Sequence, residues 1–231
     1  MRIVHSLCEN AESYYEKAGI YDLFSQAEDY PGKVFRVLKQ VVKGKVVLDV
    51  GCGTGKYLKL LAPCCKKIIG VDVSADQLAI ARREIGKLTN VELIHAPADK
   101  IKLKSGTTEV VIGAWFLGSI VGIRRKKKIL HKLESILNDT GTIYLIENDV
   151  GSEFERIRQG VSNPLRKALE HNQWLLDKMG FKVFKRIKTY FKFKNVNTAR
   201  SVIWSIWGRR AADKVHCHLL FHNVIIFKKV S

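Results

Sequence analysis

Apolar residues recur along this chain with two different periods, and their alternation outlines the elements. Residues 9–42 have helical spacing. In the second part of that stretch Val34-Phe35, Leu38 and Val41-Val42 repeat at i, i+1, i+4, i+7 and i+8, which predicts one apolar face. Pro31 stands where a helix would begin and Lys43-Gly44-Lys45 where it would stop. Short apolar runs follow, predicting strands at Val46–Val50, Lys67–Val73, Val91–His95, Glu109–Ile112 and Thr142–Glu147. Between them lie a helix carrying Tyr57, Leu58, Leu60 and Leu61, and a second through Gln77–Ala81 with Ser74 as its N-cap. A third, strongly basic at its start, is expected over 123–137. Continuous apolar strands separated by helices predict a mostly parallel sheet covered on both faces.

The last third reads differently. A helix over 164–179 should end at Gly180. Apolar and basic residues then alternate from Phe181 to Phe193, as on a strand with one dry and one wet face. A helix over 197–211 and a strand over 217–228 complete the pattern. The expected class is α/β: a Rossmann-like, doubly wound sheet, mostly parallel with an antiparallel C-terminal strand, and helices on both faces.

Composition narrows the setting. With 46% hydrophobic residues and 4 prolines among 231, a large core is expected and no low-complexity linker. The first residues turn polar and acidic by Glu9, so no leader is expected, and no run of about 18 apolar residues could span a bilayer. Five cysteines, two of them adjacent (Cys64-Cys65) and none in C-x-x-C spacing, argue against a disulfide framework or a four-cysteine zinc site. A cytoplasmic protein is the expectation, and nothing sets its oligomeric state. The net charge of +18 is uneven: 17 of the 40 Lys and Arg, but 5 of the 22 Asp and Glu, lie beyond residue 150. Such an excess suits an anionic partner, RNA or a phosphorylated metabolite, and equally a well-solvated basic surface.

The candidate chemistry centres on Gly51-Cys52-Gly53-Thr54-Gly55, directly after the first strand. A Walker A loop would need glycine at Val50 and Ser or Thr at Tyr57; a dinucleotide fingerprint would need glycine at Lys56. Read alone, the remaining G-x-G-x-G is also what a tight turn looks like. A carboxylate at the end of the next strand, Asp72 in Gly70-Val71-Asp72-Val73-Ser74, is placed to accept from ribose hydroxyls.

Val47 to Gly55, V-L-D-V-G-C-G-T-G, resembles the first motif of class I S-adenosylmethionine-dependent methyltransferases, in particular the ubiquinone/menaquinone-biosynthesis-like (type 11) group. The resemblance covers about residues 30–150. It implies a helical cap over 1–44, a cofactor-binding half over 45–150 and a substrate-side half over 151–231 with an inserted helix. It further implies that Asp49 organises the loop and the cofactor's amino-acid end, with Gly51, Cys52, Gly53 and Gly55 as backbone cradle. Asp72 would meet the ribose, with Val73 beside it also binding the cofactor. Ala98 and Asp99, in Ala96-Pro97-Ala98-Asp99, would meet adenine, and Ala114 would face the methyl. Trp115 and Phe116 would open the substrate pocket.

Gly113-Ala114-Trp115-Phe116 replaces the N/D-P-P-Y/F/W turn of amino-methylating base enzymes, and no cysteine stands where pyrimidine C5 chemistry needs one. A sulfonium methyl is already activated, so a base is needed only for a poor nucleophile. Glu147 and Asp149, past the fifth strand, are the candidates, with helix-cap or surface contacts as the alternative. Trp204 and Trp207, beside Val202-Ile203 and Ile206, suggest a lid with an aromatic wall, or an ordinary packed helix. Tyr14, Tyr15, Tyr21 and Tyr30 could line the cofactor mouth or pack in the core. His216, His218 and His222 would share one strand face, but without a carboxylate partner no metal is expected. The leading function is methyl transfer to a small molecule; the alternatives are an RNA-modifying methyltransferase and a non-catalytic, cofactor-binding adaptor.

Overall fold

In the computed structural model, which describes residues 17–159 and 163–231, β1 (Val46–Val50) runs through the middle of a seven-stranded sheet. β2 (Lys67–Asp72) and β4 (Thr108–Ala114) flank it, both parallel. β3 (Val91–His95) lies outside β2 and β5 (Leu137–Asn148) outside β4, again parallel. β7 (Leu219–Val230) pairs antiparallel with β5, and β6 (Lys182–Lys192) antiparallel with β7. The order is therefore β3-β2-β1-β4-β5-β7-β6. The winding reverses between β1 and β4, where diverging loops leave a crevice at the strands' C-terminal ends.

Side-chain alternation splits the core across the sheet. From β1, Leu48 and Val50 pack on one face with Leu130 and Leu133 of α5 (Ile123–Ile136) and Leu175 of α7 (Pro164–Met179). Val47 packs on the other with Leu38 of α2 (Lys33–Val41) and Leu58 of α3 (Lys56–Leu61). A third, aromatic cluster joins Phe24 of α1 (Ala18–Ala27), Phe154 of α6 (Glu153–Arg158), Phe191 of β6 and Trp207 of α8 (Val196–Trp207). α4 (Ala75–Ile85) is capped by Ser74, whose hydroxyl accepts from the Gln77 N–H.

Two departures from the predicted elements have local causes. The helical region before residue 43 is two helices. Between them Tyr30 pairs with Tyr190 of β6, and the Asp29 carboxylate accepts from the Val34 and Phe35 N–H groups at 2.8 Å each, capping α2 from a distance. Its first residue is Lys33, behind Pro31 and Gly32. The helix expected over 197–211 breaks at Gly208 (φ 81°) and resumes as the short α9 (Arg209–Ala212). β3 and β4 are joined through a single 3-10 turn at Ala98–Lys100, and β5 begins five residues earlier than expected, at Leu137.

Candidate active site

The loop after β1 is tied to the end of β2 by its own backbone. The Gly51 and Cys52 N–H groups both donate to the Val71 carbonyl, at 2.8 and 3.1 Å. Asp72 then grips both crossovers: one carboxylate oxygen accepts from Gly53 N–H and the other from Ser74 N–H, each at 2.9 Å. Gly55 begins α3 at φ +85°, where an added Cβ would lie 2.9 Å from Ala81 Cβ and 3.1 Å from its Cα. Glycine serves there for its conformation and for its lack of a side chain. Asp49 is buried under the loop; burial first, and then the Asp72 charge, push its carboxyl up to about 7.

A cavity of about 700 Å³ opens at the β1/β4 switch. One end is walled by Gly51, Asp72, Val73, Gln77, Ala96–Ala98 and Ala114. Beyond Ala114 the wall becomes aromatic and titratable. Trp115 holds a positive φ of 50° while its indole lies between Tyr57 (6.3 Å) and His222 (6.0 Å). Sparsely populated backbone of this kind persists where surrounding packing holds it.

Two carboxylate–imidazole pairs stand at this second end, with Glu147, His171 and Glu28 on the wall and His222 buried behind Glu28. Glu147, from the end of β5, is buried, accepts from Gly118 N–H at 3.0 Å and lies 3.3 Å from His171 Nε2 of α7. A Cβ on Gly118 would come within 2.5 Å of Glu147 Oε2, so glycine is what lets this carboxylate approach. Lys126 Nζ of α5 sits 3.0 Å from His171 Nδ1, and desolvation lowers the pKa of its ammonium. The second pair is Glu28, just past α1, and His222 of β7. Glu28 Oε1 is 3.7 Å from His222 Nδ1, while His222 Nε2 is 2.8 Å from Asn148 Oδ1. Burial pushes Glu28 up to about 8 against the opposing charges of Lys56 and Arg158, with Asp29 adding to the rise. Burial, then Arg158 and Lys56, push His222 down to about 3. Lys56, directly after the glycine loop, donates to the Ser25 and Glu28 carbonyls at 2.7 and 2.5 Å, fastening the end of α1 to the loop.

Of the residues expected at the site, Gly51, Asp72, Val73, Ala98, Ala114, Trp115, Phe116, Glu147 and Trp207 line the cavity, as does Tyr21. Cys52, Gly53 and Gly55 form the loop behind Gly51 rather than the wall. Asp99 is not on the wall, because the 3-10 turn at Ala98–Lys100 carries it past the surface that Ala98 presents. Asp149 is also off it: its carboxylate pairs with Arg186 Nε of β6 at 3.0 Å. Trp204 is 60% exposed, since α8 buries Val202, Ile203, Ile206 and Trp207 and turns Trp204 outward. Tyr30 packs under Lys192, 4.1 Å from ammonium to ring centroid, and Tyr14 and Tyr15 lie outside the described residues. His216 and His218 are exposed ahead of β7 while His222 is buried within it, and no metal-holding group of three forms among the described residues.

Glu28, Lys126 and His171 were not expected here. His171 had a signal: it occupies the buried face of α7 with Leu175 and Met179, at i, i+4 and i+8. Glu28 had none, for it ends a short helix and meets β7 only through the tertiary fold.

The sequence profile of a family described as a methyltransferase domain matches residues 47–141, the stretch from β1 to the early part of β5. A demethylmenaquinone methyltransferase of Bacillus licheniformis is 30% identical over 111 residues, 47% of each chain. Over residues 47–141 the chain is thus similar to a methyltransferase domain family. An uncharacterised protein of Methanocaldococcus jannaschii is 28% identical over 80% of this chain and 75% of its own. The chain thus spans three quarters of that relative but under half the length of the Bacillus methyltransferase. A S-adenosylmethionine-dependent methyltransferase from Aquifex aeolicus shares the fold, with a TM-score of 0.58 at 18% identity over 90% of this chain and 97% of its own. A methyltransferase of this class needs a cradle for its cofactor. The cavity end built from Gly51, Asp72 and Val73 fits that need: bare backbone on one side, and on the other a carboxylate whose two loop bonds leave lone pairs for more donors.

Proposed function

We propose that this chain transfers a methyl group from S-adenosylmethionine to a small-molecule acceptor bound at the Trp115 end of the cavity. The observation that carries this reading is the cavity itself. It is continuous from the glycine loop to the aromatic end, and about 700 Å³ is the size of a small-molecule site. In this reading Gly51–Gly55 receive the cofactor's amino-acid tail, Asp72 accepts from its ribose, and Val73 and Ala98 border its adenine. The cofactor, once bound, supplies an activated methyl. The chain's own work is to hold an acceptor in line beyond Ala114 and to exclude water with Trp115, Phe116 and Trp207. Glu147, fixed by Gly118 N–H and beside His171, orients that acceptor by hydrogen bonding.

The RNA reading draws on the +18 charge. Lys182, Lys185, Arg186 and Lys188 of β6 are exposed, yet none of them lines the cavity. The test is calorimetry with S-adenosylmethionine, followed by transfer of labelled methyl to a small-molecule extract and to total RNA. Micromolar cofactor binding with label in the small-molecule fraction is expected. Label entering RNA alone, with a rate that collapses as salt rises, would transfer the case to the other reading.

A further inference from the structure

Besides Glu147, the acceptor end holds a second carboxylate that nothing above employs. We propose that Glu28, oriented by His222, takes the proton that an acceptor hydroxyl gives up as it is methylated, and that this hydroxyl sits on a flat ring. The inference rests on the methyltransferase reading and names its substrate class.

Four observations meet here. Glu28 lines the cavity alongside Phe24, Trp115, Phe154 and Trp207, aromatic faces that suit a planar ring. Glu28 and His222 are 9% and 0% exposed, so the pair is shielded from bulk water. His222 Nδ1 has no hydrogen-bond partner although buried, and the nearest carboxylate oxygen is that of Glu28. A lone polar atom so placed is costly unless a proton is at times shared across it. Finally, Nε2 faces the Asn148 side chain. An imidazole can show a lone pair to a carboxylic acid or an N–H to a carboxylate, and a turn of the Asn148 amide complements either tautomer. A proton on either ring nitrogen therefore has an acceptor nearby, the Glu28 carboxylate on one side and Asn148 Oδ1 on the other.

Three charged groups bear on Glu28, the Lys56 and Arg158 charges lowering its pKa and the Asp29 charge raising it, and each has further contacts of its own. Lys56 holds two main-chain carbonyls, Asp29 caps α2 and accepts from Thr189, and Arg158 stacks 4.3 Å over the Phe154 ring. Burial keeps Glu28 protonated up to about pH 8, so its ionised form is a base matched to near-neutral conditions. In the step, the acceptor oxygen keeps the O–H electron pair and forms the bond to the methyl carbon. The carbon–sulfur pair returns to sulfur, and the proton passes to a Glu28 carboxylate oxygen. His222 is a positioning residue.

The test uses the whole protein, methyl-labelled S-adenosylmethionine, and a panel of phenols (catechol, 4-hydroxybenzoate) beside benzylamine. Label should enter phenols, with a rate that climbs with pH and levels above about 8. Glu28→Gln should lower kcat by about 100-fold or more and remove that pH limb while leaving cofactor affinity unchanged. His222→Gln should shift the limb. Independently, carbon-13 spectra of glutamate-labelled protein should contain one carboxyl that titrates near pH 8 and is missing from Glu28→Gln. Label in amines alone, an unchanged Glu28→Gln rate, cofactor binding with no phenol methylated, or no such carboxyl would overturn the proposal. A folded protein that fails to bind the cofactor would instead overturn the reading beneath it.

Discussion

At the Gly51 end of the cavity the wall is mostly backbone and short side chains plus the Asp72 carboxylate, contributed by the segments that follow β1, β2 and β3 and by Ala114 at the end of β4. At the Trp115 end it is side chains, drawn from α1, α5, β5, α6, α7 and α8, with His222 of β7 behind Glu28. The first end is therefore determined locally: glycines at positive φ and an Asp that grips two N–H groups need only β1 and β2 side by side. The second end exists only when the whole sheet is assembled, since Glu28 and His222 are far apart in the chain. A site made of neighbouring backbone can be passed between relatives as a short motif; a site made of distant side chains can be remodelled one residue at a time. Under the function proposed above, donor chemistry would lie at the local end and acceptor choice at the dispersed one.

Asp72 offers the largest effect with which to break this contrast. Asp72→Ala leaves the Gly53 and Ser74 N–H groups unpaired and removes the proposed ribose acceptor. Calorimetry should show cofactor affinity down by about 100-fold, the scale of hydrogen bonds to a charged group. An affinity within a few-fold of wild type would mean that the loop holds the cofactor without it.

Next comes Gly55→Ala. The added Cβ would meet the Ala81 backbone at a φ of +85°, and a cost of about 2–3 kcal/mol should lower Tm by about 5–10 °C. An unshifted melting curve would show that α4 gives way easily.

A smaller effect separates the two carboxylates near the end of β5. Glu147→Gln should reduce turnover about 10-fold through the lost charge beside His171 and Gly118 N–H. Asp149→Asn, whose partner is Arg186 outside the cavity, should leave turnover unchanged, as should Trp204→Ala. Equal losses in Glu147→Gln and Asp149→Asn would blur the boundary drawn here between wall and exterior.

The smallest effect concerns stability against pH. Asp49 rises from 3.8 to about 7 on folding, so the folded state binds the extra proton and stability falls as pH climbs through that window. Asp49→Asn should remove this loss, melting a few degrees above wild type at pH 8 and level with it near pH 4. Parallel Tm–pH curves for the two proteins would contradict the assignment.

Much of the fold and of the Gly51 end of the cavity is legible in the sequence. Periodicity located all seven strands, the antiparallel one included, and the G-x-G-x-G spacing with Asp72 pointed to one end of the cleft. These signals survive because they are short-range: a strand period and a loop spacing need no tertiary partner. The readings at Asp99, Asp149 and Trp204 differ from the structure because each depends on which way one side chain turns. The 3-10 turn at Ala98–Lys100, an Arg186 on another strand and the rotation of α8 decided them. Glu28 was beyond reach for a related reason. A glutamate at a helix end is ordinary, and what makes this one unusual is burial beside His222, from near the other end of the chain.

The most direct measurement is a crystal structure with S-adenosylhomocysteine. The account predicts its amino-acid tail along Gly51–Gly55, its ribose hydroxyls on Asp72 and its sulfur turned toward Ala114, with the Trp115 end left for the acceptor. Product lying elsewhere, or occupying the Trp115 end with Asp72 untouched, would contradict it.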